Sequence, residues 1–264
     1  VSRLFCFGLG YSARALVARL GPGWPVGAST RGEPPELRPD TTHILVSIPP
    51  DETGDPVVAA HAEAIAALPR LAWLGYLSAT AVYGDRGGGW VDETAELRPS
   101  GPRGRRRVAA EAQWLALWRE RGVPVHIFRL AAIYGPGRSP FDALRAGTAK
   151  RIDRPGQLFS RIHVDDLAAI LAASMARPRP GAVYNVCDDE PAAPEAVTAH
   201  AARLLGVAPP PLVALAAAEL SPLARSFWDD NKRVSNALVK RELGIALQYP
   251  DYRAGLAAIL AAGG

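Results

Sequence analysis

Cysteine is nearly absent. Cys6 and Cys187 are the two in 264 residues, and each sits inside an apolar, strand-like run. There is no CxxC pair and no Cys/His cluster, which excludes a disulfide framework and leaves no metal-site signature. Both read as small buried hydrophobes of a reducing compartment. Aromatic residues are scarce too, at 7% of the chain, while alanine is abundant. That balance favours helices packed closely on a sheet. No apolar run reaches the roughly 20 residues of a membrane span. The first apolar run opens at Arg3 with no leader-like segment before it, so a cytoplasmic protein without membrane contact is expected. Interleaved aromatics and nucleic-acid-binding motifs are also missing. The net charge of +4 therefore does not point to nucleic acid.

What is present is a large apolar fraction, 48%, enough to bury the core of one sizeable α/β domain or of a nucleotide domain with a small second lobe. The basic excess is concentrated. Arg103, Arg105, Arg106 and Arg107 form one cluster, which fits either a solvated helix start or an anion site for a dinucleotide or sugar-nucleotide phosphate.

Along the chain, strands and helices alternate. Residues 3–7 are an apolar run ended by Gly8, and a helix follows over about 12–20. Strands are expected at 24–29, 43–48, 71–77, 125–130 and 183–187. Helices are expected at 56–68 and about 104–121, and one more starts at Asp165, with Asp165 or Asp166 as its cap. This alternation implies a parallel, doubly wound Rossmann-type sheet. Only a dozen residues separate the second run from the third. A full Rossmann half needs a helix and a strand there, and neither fits. Either the edge strand is lost or residues are missing from the chain. The expected division is a single domain, 1–264, with a nucleotide-binding core of about 1–135 plus 162–187. A small substrate lobe would come from about 136–161 and 188–250. Residues 208–218 read as linker.

FCFGLGYSARAL is the strongest local signal. Gly8, Gly10 and Ala13 fit GxGxxA between a strand and a helix. The first glycine permits the tight turn, the second lets the backbone approach a pyrophosphate, and the small third residue lets helix and strand pack closely. The phosphates then meet the free N–H groups of the helix start, at Tyr11 and Ser12. The second strand ends in Ser29-Thr30-Arg31. An arginine with two hydroxyls suits a ribose 2′-phosphate and so favours NADP. Glu33 keeps NAD open, and an exposed surface arginine is the plainer reading of Arg31. Ser47, at the end of the third run, completes the candidate cofactor contacts.

Further segments follow in order: YLSATAVYGD (76–85), FRLAAIYGPG (128–137), RIHVDDLA (161–168), YNVCDDEP (184–191), and RELG with YPDYRAGL (241–256). Together with the glycine motif they cover nearly the whole chain. The sequence resembles the extended short-chain dehydrogenase/reductases, the NAD-dependent epimerase/dehydratase family that acts on nucleotide sugars, and within it an atypical branch. The resemblance implies catalysis by a Ser or Thr, a Tyr, and a Lys four residues after that Tyr. Aligned on the flanking motifs, those positions fall on Ala79, Arg103 and Arg107, so all three are changed. Arginine is no acid or base near neutrality, its pKa being above about 12. Arg107 is left to hold ribose hydroxyls or a phosphate. Thr80 and Tyr83 are the hydroxyls nearest to the lost positions and the candidate replacements, with a packed tyrosine as the plainer reading of Tyr83.

Other residues have bland readings. His163 is expected to be a buried, hydrogen-bonded structural histidine. Arg161 fits a substrate phosphate contact or a surface salt bridge, and Asn231-Lys232-Arg233 fits a solvated helix start. Two functions remain. One is an NADP(H)-dependent oxidoreductase or epimerase acting on a small molecule or a nucleotide sugar. The other is a non-catalytic dinucleotide-binding sensor. Extended family members often dimerise through two helices, here 56–68 and 104–121. Trp114 and Trp118 share a face of the second, where core packing explains them as well as a homodimer contact does.

Overall fold

The computed structural model describes residues 2–29 and 36–263. The first half of the chain runs β1 (Leu4–Phe7), α1 (Tyr11–Leu20), β2 (Val26–Ala28), β3 (His43–Val46), α2 (Pro56–Ala66), β4 (Trp73–Ala79), a 3-10 turn (Thr80–Tyr83), β5 (Trp90–Val91), α3 (Pro102–Arg121) and β6 (Val125–Leu130). The second half adds β7 (Ala132–Tyr134), α4 (Pro140–Arg145), β8 (Arg151–Asp153), β9 (Arg161–His163), α5 (Val164–Ala176), β10 (Val183–Val186), α6 (Pro194–Leu205), β11 (Leu212–Ala214), α7 (Pro222–Ser226), β12 (Arg233–Val234), α8 (Ala237–Leu243) and α9 (Tyr252–Ala261).

Six strands form one parallel sheet in the order β10-β6-β4-β3-β1-β2. The strands are continuous apolar runs because both faces of the sheet are covered, the usual condition of parallel strands. Side chains alternate between the faces at a period of two. Leu4, Cys6, Leu45 and Trp73 point to one side, where Leu16 of α1 and Leu167 and Leu171 of α5 complete a core. Phe5, Phe7, Ile44, Val46 and Tyr76 point to the other, against Ile65 of α2 and Trp114 of α3. Trp114 is fully buried and its indole N–H donates to Asp55 Oδ2 at 3.1 Å, so it belongs to the core.

Among the described residues no strand lies between β2 and β3, and β2 forms the edge of the sheet. The sheet reverses its winding at β1, whose neighbours are β2 and β3. That switch point is where α/β sheets open a crevice at the carboxyl ends of their strands.

The remaining elements build over that end. Three two-stranded parallel pairs, β7 with β9, β8 with β11 and β5 with β12, flank the crevice. A separate apolar cluster of Phe141, Val197, Ala201, Leu256 and Ile259 holds α4, α6 and α9 together. Two expectations change here. The stretch 208–218 contains β11, paired with β8, where a linker was expected. Asn231-Lys232-Arg233 enters β12 where a helix start was expected, and Asn231 ties distant loops together. Its N–H donates to Asp85 at 2.8 Å and its side chain bonds Gly156 O and Leu158 N–H. Among the described residues no helix is long and apolar enough to cross a membrane.

Candidate functional site

The glycine turn comes first. Gly8 has φ +86°, and a Cβ there would lie 2.9 Å from Ser47 Oγ, so both conformation and space demand glycine. Its N–H donates to Ser29 Oγ at 3.1 Å, and Ser47 Oγ donates to its carbonyl at 2.8 Å. Both serines therefore brace the turn. Gly10 differs, because a Cβ there would meet nothing within 4 Å and would project into open space. α1 then starts with Gly10 as a cap that has no side chain to offer its first N–H groups. Ala13 is buried against the sheet. Tyr11 donates its hydroxyl to Pro136 O at 3.0 Å, and the Arg138 guanidinium lies 5.8 Å from its ring centroid. Thr30, Arg31 and Glu33 lie outside the described residues.

A cleft of about 990 Å³ runs from Gly10, Tyr11, Ser12 and Ser47 across the ends of β4 and β6 to the segment Phe227–Asp230. Ala79, Thr80, Arg103 and Arg107 all line it. The three positions that the family resemblance marks as catalytic thus meet in one cavity with the glycine turn. Gly104 makes this possible. A Cβ on it would sit 2.5 Å from Ala81 O and 2.7 Å from Pro99 Cβ, so α3 begins in direct backbone contact with the turn after β4. Arg107 donates from Nη1 to Tyr76 Oη at 3.1 Å and to the Leu77 carbonyl, which anchors its guanidinium at the end of β4. The Arg103 guanidinium packs 4.8 Å from the Phe227 ring centroid. Partial burial, and then the charge of Arg107, push its pKa down, yet arginine stays a cation.

Tyr83 does not reach the cleft, which corrects its expected place as an acid. It is fully buried, its hydroxyl donates to Asn185 Oδ1 at 2.7 Å, and it accepts from Arg129 Nη1 at 2.9 Å. Burial pushes its pKa up, against the pull of Arg129. Arg129 in turn is paired with Glu111 through Nη2–Oε2 at 2.8 Å, and Ser78 donates to Glu111 Oε1 at 2.6 Å. The Ser78 hydroxyl is thus engaged in a buried polar network, although the residue also contributes to the cleft lining. The sequence reading missed Arg129 and Glu111. The signal was there in FRL, a lone charge in an otherwise apolar central strand.

The HVDD region is structural. His163 is buried and caps α5, its Nδ1 accepting from Asp165 N–H at 3.2 Å. The expected caps, Asp165 and Asp166, do other work. Asp166 accepts from the N–H groups of Gln248 and Tyr249 at 2.8 and 2.9 Å. Arg161 is buried away from the cleft lining, its guanidinium 5.6 Å from the Tyr252 ring centroid and donating to Ala192 O at 3.3 Å. It is not among the residues lining the cleft, and among the described residues it forms no surface salt bridge. Nearby, burial pushes the Asp188 carboxyl up to about 8, against the opposing pull of Arg161.

A six-stranded parallel sheet, a GxGxxA turn at its switch point and helices on both faces define a Rossmann-type α/β protein. Residues 57–187 match the model of the NAD dependent epimerase/dehydratase family, and the chain belongs to that family. Protein YeeZ of Escherichia coli (strain K12) is 31% identical over 179 residues, a match that spans 67% of this chain and 58% of the length of that protein. A solved protein from Silicibacter pomeroyi DSS, described as a functionally unknown conserved protein, is 51% identical with a TM-score of 0.94 over 99% of each chain. The dTDP-glucose 4,6-dehydratase of Bacillus anthracis str. Ames, solved in complex with NAD, shares the fold. It has a TM-score of 0.79 at 17% identity, over 99% of this chain and 96% of that one. So does a human epimerase family protein solved with NADPH, at a TM-score of 0.77 and 18% identity over 99% of each chain.

Proposed function

We propose that the cleft binds NADP(H), with NAD(H) as the weaker ligand. The protein then acts as an oxidoreductase or epimerase on a small carbonyl compound or a nucleotide sugar, without the Ser/Tyr/Lys set of its family. One observation carries this reading: a single cavity joins the glycine turn to Ala79, Arg103 and Arg107, the positions that the family resemblance marks as catalytic. The open space in front of Gly10 and the cap-less start of α1 fit a pyrophosphate. Gly8, Gly10, Tyr11, Ser12 and Ala13 would hold it. Ser29, Thr30 and Arg31 would hold the adenosine ribose and its phosphate, while Ser47 supports the turn and Arg107 meets the nicotinamide ribose. When bound, the nicotinamide supplies or accepts a hydride.

The chain's own residues do the rest. Arg107, fixed by Tyr76 and Leu77, and the Thr80 hydroxyl stabilise negative charge on a substrate oxygen. Neither arginine gives up a proton, so the proton comes from water admitted to the cleft. Calorimetric titration with NADPH and NADH side by side tests the reading. Tight NADPH binding weakened by Arg31→Ala is expected, and failure of both to bind would end it.

The second reading is a non-catalytic dinucleotide sensor. It is favoured by alanine at position 79, arginine at 103 and 107, and the burial of Tyr83. The triple variant Ala79→Ser, Arg103→Tyr, Arg107→Lys separates the two. Gained turnover of a nucleotide sugar would mark the lobe as inherited from ordinary family chemistry. A homodimer through the outer faces of α2 and α3 is part of the proposal and is read by sedimentation.

A further inference from the structure

We propose that Arg103 and Arg107 together bind an oxyanion of the substrate, a carboxylate or a phosphate, at the end of the cleft remote from the glycine turn. The inference rests on the preceding reading of the cleft and narrows its substrate to an anionic molecule.

Four observations carry it. Both residues line the cavity, four apart in sequence and so on one face of α3. Neither is in an ion pair, although the Asp55 carboxylate acts on Arg107 from beyond ion-pair distance. Among the described residues the partners of Arg107 are a phenol and a carbonyl, the partner of Arg103 is an aromatic ring, and no carboxylate lies within ion-pair distance of either. Arg106, between them in sequence, is by contrast paired with Glu52 at 2.7 Å. Finally, Arg103 sits in the first turn of its helix, the wrong end for a cation. α3 has no acidic residue in its first turn, and its cap, Gly101, has no side chain to accept from the first N–H groups. Cations there oppose the positive end of the helix dipole. α2 and α9 are capped by Asp55 and Asp251, whereas this end is cationic and open to a cavity. An anion between the two forks answers each of these features through charge-assisted, bidentate hydrogen bonds.

The place is distinct from a pyrophosphate site. β3 lies between β1 and β4, so Arg107 at the end of β4 stands two strand spacings, about 10 Å, from the glycine turn. The Phe227 ring on Arg103 holds that guanidinium plane and gives the anion an apolar neighbour.

The test is calorimetric titration of the full chain with inorganic phosphate and, separately, malonate, each with and without saturating NADPH. Wild type, Arg103→Gln and Arg103→Lys are compared, with thermal unfolding as the check on folding. The wild type should bind at least one anion. The glutamine variant should lose affinity about 10- to 100-fold, the range for charge-assisted bonds. The lysine variant, which keeps the charge but not the fork, should fall between. Phosphate or malonate as the tighter ligand names the oxyanion. No binding by the wild type, or equal affinities in wild type and glutamine variant, would overturn the proposal. NADPH affinity should be retained in Arg103→Gln. Loss of NADPH binding in every protein, with the anion result intact, would sink the dinucleotide reading and leave the anion site standing.

Discussion

The buried pair Arg129–Glu111 invites a quantitative prediction. Both side chains are almost wholly out of solvent, at 6% and 3% exposure. Arg129→Met leaves the Glu111 carboxylate with Ser78 as its remaining polar partner among those described. Breaking a buried pair from one side costs about 3–5 kcal/mol. That is a large part of the roughly 5–15 kcal/mol that stabilises a domain. Glu111→Leu should cost a similar amount, because it strands the guanidinium. The double variant Arg129→Met/Glu111→Leu removes both charges and should recover about 2 kcal/mol or more of the summed loss. It should not reach wild type, since the Ser78 hydroxyl loses its acceptor and Tyr83 loses a donor, at about 1 kcal/mol each. Urea unfolding followed by circular dichroism supplies the four free energies of the cycle. Two results would refute the reasoning: a loss below about 1 kcal/mol for Arg129→Met, or a double variant whose loss equals the sum of the singles.

The two glycines of the turn should separate fold from binding. Gly8→Ala is expected to cost about 1–3 kcal/mol from its left-handed backbone and its 2.9 Å approach to Ser47, read as a lowered thermal midpoint. Gly10→Val, whose side chain enters open cleft, should leave the midpoint nearly unchanged and abolish NADPH binding by calorimetry. A Gly10→Val protein that binds as tightly as wild type would exclude the turn as the pyrophosphate site. His43 and His126 are held neutral, burial pushing each down to about 4. Between that value and the ordinary 6.5 the unfolded chain binds more protons than the native one, so stability is full above about 6.5 and falls as pH drops toward 4. The loss is at most roughly 3 kcal/mol per ring, and a thermal midpoint that holds constant from about pH 7 to pH 4 would contradict it. Asp188 works in the opposite direction. Its carboxyl, raised to about 8, keeps its proton in the native state, so its contribution declines as pH rises from its ordinary range toward 8. Asp188→Asn should therefore gain on wild type across that window and level off beyond it, and urea midpoints that run parallel would argue against a buried neutral acid.

The sheet was legible because each central strand is an apolar run stopped by glycine or a polar turn, and parallel strands covered on both faces leave little ambiguity. The glycine turn was legible because its spacing is a backbone requirement, as φ at Gly8 shows. The meeting of Ala79, Arg103 and Arg107 with that turn was foreseen through motif order, which carries positions across long gaps. What sequence pattern does not carry is the direction in which a polar side chain points once the strand ends. Tyr83 reads the same whether it faces a cleft or Arg129, because the partner that decides lies 46 residues away. Asn231 was misplaced for a related reason. Its side chain answers to Gly156, 75 residues distant. Arg161 read as a phosphate contact or a surface salt bridge because charge suggests an accessible place, while the ring of Tyr252 beside it is 91 residues away in sequence.

The bond from Tyr83 to Asn185 spans 102 residues. On a ribosome adding about 5–20 residues per second, that gap corresponds to roughly 5–20 s. During that interval β4, β3 and β1 can pair. Once β6 has been made, in the later part of that interval, one of its sides stays open, because its other neighbour, β10, has yet to emerge. An unpaired strand edge is a template for misassociation. Arg129 gives this edge a charge for as long as it is open, and only the arrival of β10, with Asn185 closing on Tyr83, seals it.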